Sequence, residues 1–362
     1  MIDVDSPRGD RVRAARVLFG YTQVEFARLV GLSQAQLSRI ERGEVPVDGD
    51  LIDAIGEYVR VPPAFLLQAS PSQGEGSLRF RKKARTRAKE TERVQQLVVE
   101  AHRVCNQVAT LLRLPPPALP QMQPDEPVTS EAVERLALEC RLALGIGIDE
   151  PVPHVTRALE RAFVFVVPAR LPNYEPDAGA VGHSGASLWN GPWESPLIAY
   201  IPDQPGDRLR HTLSHELGHL VLHAHRPIPV DRDAERAAER EADEFASAFL
   251  LPLERAREVF GAAGRLTLDK LKVMKAGWGI SVQGLIMRAA TSEMIDGERV
   301  RSLYRQLSAR GWRKSEPVEV HLEGPQLLGQ VFERLYGSDI PWSKLQEEFG
   351  LPSDVLKRLA GF

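Results

Sequence analysis

Cysteine is nearly absent: the 362-residue chain has Cys105 and Cys140 and no others. Two thiols cannot build a disulfide framework or a cysteine zinc site, and such usage points to a reducing, cytoplasmic setting. Long apolar runs are missing too. The longest, such as residues 163–168, fall far short of the ~20 residues that cross a bilayer, so no membrane partner is expected. The opening stretch, MIDVDSPRGD, has no apolar segment of the kind a secretory leader needs. Neither charge sign dominates: 46 basic and 49 acidic residues leave a formal charge of −3, which argues against coating nucleic acid through bulk charge. No period of 20–50 residues repeats, which excludes a solenoid. What is present, 43% hydrophobic and 26% charged residues, is the mix of a globular chain of two or three domains.

Charge is uneven along the chain. Residues 1–70 carry 8 basic and 10 acidic side chains, whereas residues 71–93 carry 8 and 3. The stretch RFRKKARTRAK (79–89) has seven basic residues in eleven. It would either lie on phosphates or serve as a solvated connector. Two linkers, ASPSQGEGS (69–77) and LPPPALPQMQPDEP (114–127), are too polar or too Pro-rich to bury a core. The expected units are 1–68, a basic helical connector with its Pro-rich linker over 69–127, a main domain over 128–300, and a helical extension over 301–362.

The first unit reads as a set of short helices. Thr22 with Glu25 three residues on predicts a capping box, and Ser33 predicts the next N-cap. Gly31 and Gly43 stand where those helices must end in left-handed turns. The result is a helix-turn-helix. The segment TQVEFARLVGLSQAQLSRIERG (22–43) resembles the XRE (Cro/C1-repressor-like) family, over about 10–67. That resemblance implies a five-helix bundle whose groove helix spans about 34–42, on a double-stranded operator read by a homodimer. Gln34, Gln36, Ser38 and Arg39 would face base edges, where the forked groups of Gln and Arg read adenine and guanine. Gln23, Ser33 and Arg42 complete the DNA-facing set, with Gln23 and Arg42 suited to phosphates.

The chemistry is concentrated in RHTLSHELGHLVLHAHR (210–226). HELGH is a HExxH pattern: histidines four apart share one helix face, so His215 and His219 can present two imidazoles to one metal ion, with Glu216 beside them as base. Asp207 is the expected cap, and Leu209, Leu213, Leu217, Leu220 and Val221 form a stripe opposite the histidines. One helix face would pack while the other lines a cleft. A catalytic zinc needs a third protein ligand. His225 has the metzincin spacing, but Leu222 stands where that pattern needs glycine. On the helix former DRDAERAAEREADEFASAFLLP (231–252), Glu241 falls among Ala238, Ala242 and Phe245, where an unpaired carboxylate is costly. Glu241 is therefore the expected third ligand, with Glu239 as the fallback.

HExxH with a later Glu is the gluzincin arrangement, and TLSHELGHLVLH with EREADEFASAFLLP resembles the ImmA/IrrE metallopeptidases, over about 150–300. The resemblance implies Zn2+, with Mn2+ as the other candidate, held by His215, His219 and Glu241, and Glu216 as catalytic base. It gives His223 a supporting place and implies cleavage of a regulatory protein such as a repressor or antitoxin-like partner, in a mobile-element or stress response. The alternative is a transcription regulator whose peptidase-like domain senses a ligand or partner without cleaving. His183, Tyr200, Arg210 and His211 are the candidates to stabilise an oxyanion, and LIAYI (197–201) would be a sheet-edge or a core strand. The helices near 327–359 are expected as a packing or dimerisation element. The expected class is α+β, mostly helical: the five-helix bundle, a zincin-like domain with a small sheet, and the C-terminal extension.

Overall fold

The computed structural model describes residues 8–69, 79–82, 88–172, 183–191, 194–226, 229 and 231–362. The chain is α+β and mostly helical, and it opens with five short helices: α1 Gly9–Leu18, α2 Gln23–Leu29, α3 Gln34–Glu41, α4 Gly49–Val59 and α5 Pro63–Leu67. Local chemistry sets their ends. Thr22 and Glu25 form a reciprocal capping box, as do Ser33 and Gln36. Gly31 and Gly43 both take φ of +74°, where a side chain would be strained. Val12, Leu18, Phe26, Leu37 and Ile55 close the core, whereas Val24 and Tyr58, apolar at helical spacing, face outward.

A strand and a long helix follow, β1 Arg79–Lys82 and α6 Ala88–Leu112. The sequence expectation of a helical connector fails over 79–82, because pairing with another strand claims that segment. Next come α7 Ser130–Ala143, α8 Val155–Arg161, β2 Phe165–Pro168, β3 His183–Leu188 and β4 Leu197–Tyr200. The sheet order is β1-β3-β4-β2, antiparallel except for the parallel β2–β4 pair. LIAYI is therefore interior, since β4 lies between β3 and β2.

Strand alternation divides the hydrophobic interior. Phe165, Val167, Ala186, Leu188, Leu197 and Ala199 join a core shared with α6 and the N-terminal bundle. Val164, Val166, Ile198 and Tyr200 join a second core with α9 Gly206–His223 and α10 Arg232–Leu250. The bundle is fixed to α6 by a buried two-pronged ion pair: Arg11 Nη1 and Nη2 donate to Glu100 Oε1 and Oε2 at 2.6 and 3.0 Å. Arg103 Nε adds a third donor to Glu100 at 3.0 Å. Burial alone would raise the Glu100 pKa, but the two guanidiniums hold it below the usual carboxylate range.

The remaining helices are α11 Leu253–Ala263, α12 Leu268–Trp278, α13 Val282–Thr291, α14 Gly297–Ala309, α15 Leu327–Tyr336, α16 Trp342–Phe349 and α17 Ser353–Leu359. The apolar faces of the last three (Leu328, Val331, Leu345, Phe349, Leu356 and Leu359) are buried within the chain, in the core shared with the bundle. Arg103 Nη2 donates to Phe349 O at 2.6 Å, tying this extension to α6. Among the described residues no helix is long and apolar enough to cross a membrane.

Candidate metal centre and nucleic-acid interface

Helix α9 runs through the interior, buried on both its apolar and polar faces. The expectation of one face open to a cleft is therefore corrected: His215, Glu216 and His219 are 1–2% exposed. The sheet covers one side of α9 and α10 another. Pro205, not Asp207, occupies the N-cap, and Asp207 is drawn inward by Lys275 Nζ at 2.7 Å. Gly218, inside the HELGH segment, is what lets α10 come close. A Cβ there would meet the Phe245 ring at 3.1 Å.

Two imidazoles and one carboxylate converge. Ligand atoms of His215, His219 and Glu239 all lie within 4.8 Å of one another. Glu239 Oε2 is 3.6 Å from His215 Nε2, and Oε1 is 3.3 Å from His219 Nε2. Glu241, the third ligand expected from sequence, is not in this group: it is turned to His223, with Oε2 2.8 Å from Nε2. The reason is rotational. At about 100° per residue, Glu239 and Glu241 flank opposite edges of the buried Ala238–Ala242–Phe245 face, so the pattern of α10 alone ranks neither above the other. Asp243, one turn after Glu239, accepts from His215 Nδ1 at 2.8 Å. By helical periodicity alone this carboxylate, like that of Glu239, points more to the side of α10 than inward. Its signal is that Glu239 and Asp243 repeat on α10 the i, i+4 spacing of His215 and His219 on α9.

These partners assign the tautomers. A carboxylate only accepts, so Asp243 requires a proton on His215 Nδ1 and leaves the lone pair on Nε2. Glu241 likewise takes the Nε2 proton of His223, whose Nδ1 then accepts from His219 Nδ1 at 3.0 Å. That too leaves the His219 lone pair on Nε2. Burial keeps His219 neutral, its pKa pushed down to about 3 although Glu239 opposes the shift. Two imidazole nitrogens and one carboxylate oxygen within 4.8 Å of one another fit the donor preferences of zinc.

Glu216 lies under strand β3. A Cβ on Gly185 would come within 2.8 Å of Glu216 Oε1 and of Thr212 Cγ2, so only glycine allows the strand this close. The other expected residues separate. Arg210 is engaged with Glu323 and donates to Val152 O at 2.6 Å, which removes it from the site. His211 stacks on His215 with ring centroids 6.4 Å apart. His225 lies against Trp189 instead of the histidine pair. Tyr200 is buried on β4, where desolvation raises its pKa to about 12. The His183 side chain lies outside the described residues.

On the bundle, Gln34, Gln36 and Arg39 of α3 are exposed and Ser38 half-buried. Gln34 Nε2 donates to Gln23 Oε1 at 2.8 Å, and Gln23 Nε2 donates to Glu41 Oε2 at 2.7 Å. Glu41 is in turn held by Arg16 Nε at 2.5 Å. The groove helix is thereby braced on α1 and α2. Gln36 is bound back to Ser33 Oγ, its own cap, at 2.8 Å. Arg42 donates to Glu44 and to Ser38 Oγ, at 2.6 and 2.7 Å.

Residues 12–66 match the family model described as helix-turn-helix, and residues 174–288 match the one described as an IrrE N-terminal-like domain. Over those two ranges the chain is similar to an XRE-type helix-turn-helix unit and to an IrrE/ImmA-like domain. Two curated proteins named as uncharacterized HTH-type transcriptional regulators, from Sinorhizobium medicae and Rhizobium meliloti, are each 26% identical over 74 residues. The match covers 20% of this chain and 53% of each relative, so the chain spans about half the length of the curated relatives it matches. No solved structure matches.

Proposed function

We propose that this chain is a DNA-binding, zinc-dependent endopeptidase acting on a regulatory protein, a repressor or an antitoxin-like partner. One observation carries the reading: His215 and His219 of the interior helix α9, which also carries Glu216, converge with Glu239 of α10. His215, His219 and Glu239 hold the metal, and Asp243 and the Glu241–His223 pair keep both imidazoles in the required tautomer. Zinc, when bound, would polarise the scissile carbonyl and make the attacking water acidic at neutral pH. The Glu216 carboxylate takes the proton from the attacking water and delivers it to the leaving amine. Gly185 sets the height of β3 over Glu216 and so positions that carboxylate.

On the DNA side, Gln34 and Arg39 are the base readers. Gln36 joins them only by leaving its cap, and Gln23 and Arg42 position the helix on phosphates. Two copies reading a palindromic operator is the matching assembly.

The test compares new protein N-termini in cells expressing the wild type or Glu216→Gln, with and without DNA damage. Glutamine keeps the shape and loses the base. Discrete cleavages only with the wild type, together with about one zinc per chain by elemental analysis, support the reading. Identical proteomes from two DNA-binding forms would overturn it in favour of a regulator that senses without cleaving.

A further inference from the structure

Strand β1 comes from the most basic stretch of the chain, yet it is built into the sheet beside the candidate metal centre. It pairs antiparallel with β3, Arg79 opposite Ser187, Phe80 opposite Ala186 and Lys82 opposite His183. The strand it covers is the one lying on Glu216. The Phe80 and Lys82 pairs bracket Gly185, and Gly185 is the residue whose Cβ would strike the Glu216 carboxylate. The outer edge of β3 at the level of Glu216 is therefore occupied by the chain itself.

An open strand edge binds extended chains through its main-chain groups and is tolerant of sequence. β1 is a weak holder of that edge. It has four residues and a register shift between Phe80 and Lys82, so its ladder amounts to a few hydrogen bonds, each weak once the water bonds it replaces are counted. Its advantage is the tether. It is covalently joined to α5 on one side and to α6 on the other, so its pairing with β3 is intramolecular. The opposite edge of the sheet offers no equivalent, because β2 carries α15 and α17 and lies two strands from Gly185.

We propose that β1 is an autoinhibitory strand. Residues 79–82 occupy the edge of β3 on which an extended polypeptide segment docks antiparallel at the level of Glu216, and a substrate segment must displace them. The word substrate rests on the peptidase reading, whereas the docking does not. The occupant names its own competitor, an extended segment with the Arg-Phe-Arg-Lys sequence of residues 79–82.

The test uses the full-length, zinc-loaded chain carrying Glu216→Gln, with or without Arg79→Pro/Phe80→Pro. Neighbouring residues of a strand turn their N–H groups to opposite sides, so one of the two prolines must remove a ladder donor. The probe is a fluorescent peptide of residues 76–86, with a scrambled peptide of equal charge as control. The proline form is expected to bind the probe at least tenfold tighter than the parent and the scrambled control no tighter. Amides of residues 183–188 should exchange faster in the proline form and regain protection when the probe is added. Equal binding by both forms, or unchanged exchange at 183–188, overturns the proposal. Should the proline pair fail to fold, replacement of residues 79–82 by Gly-Ser-Gly-Ser makes the same comparison. A second arm restores Glu216 and measures cleavage of a peptide library. Probe binding without any cleavage supports the docking edge and removes the peptidase reading. Equal cleavage rates with β1 intact or disrupted overturn the autoinhibition and leave the peptidase reading in place.

Discussion

Glu241 Oε2 lies 2.8 Å from His223 Nε2, and this pair sets the tautomer of His219 without facing the metal position itself. Glu239→Gln should therefore remove a metal ligand, while Glu241→Gln removes only an orienting group. Loss of an orienting carboxylate costs about 10- to 100-fold in metal affinity. Competition with a zinc chelator is expected to rank wild type above Glu241→Gln, and Glu241→Gln well above Glu239→Gln. The reverse order of the two variants would return the ligand role to Glu241.

Gly185→Ala tests the contact between β3 and Glu216. The new methyl would start 2.8 Å from Glu216 Oε1, so strand or carboxylate must shift. A displacement near 1 Å at a reacting group can cost about 100-fold in rate. The expected outcome is a fall in kcat of that order with zinc content and DNA affinity unchanged. Loss of zinc instead would mean that the strand supports the histidines and not the base.

Acid should weaken the junction between α6 and the sheet through His102. Its Nε2 donates to Ser195 O at 3.1 Å, and burial presses its pKa from 6.5 to about 4. Between those values the unfolded chain binds a proton that the folded chain does not. The His102 contribution is thus complete above pH 6.5 and is lost as the pH falls to 4, on the order of 3 kcal/mol. Urea denaturation at pH 7 and pH 4.5 should show a smaller acid penalty for His102→Asn than for wild type. Equal penalties would clear His102 of the effect.

Glu100 serves two guanidiniums, so its removal should cost more than removal of either partner. Breaking a buried pair from one side costs about 3–5 kcal/mol, which is the expected loss for Arg11→Met. Glu100→Gln strands both Arg11, 1% exposed, and Arg103. Chemical denaturation should place Glu100→Gln below Arg11→Met, and both well below wild type. A cost under about 1 kcal/mol for either would show that the bundle is held on α6 by apolar packing alone.

Much of this molecule could be read one helix at a time. The capping residues Thr22 and Ser33, the left-handed glycines at 31 and 43, and the i, i+4 histidines of HELGH are local features. Their consequences are settled within a few residues by backbone geometry. The helix-turn-helix unit and the pairing of His215 with His219 followed directly. Glu239 was different. Periodicity fixes where a side chain lies around its own axis, and both Glu239 and Glu241 border the buried face of α10. Only the rotation of α10 against α9 decides which of them meets the histidines. The strands were different again, since sheet order is a non-local property. The same composition that makes residues 79–82 look like a solvated connector is compatible with an edge strand once β3 presents its unpaired main chain. Sequence by itself determined which side chains are chemically competent and which helices carry them. Tertiary packing decided which carboxylate completes the centre, that Gly185 must be glycine, and that the edge beside Glu216 is covered by the chain's own strand, because each depends on the approach of segments distant in sequence.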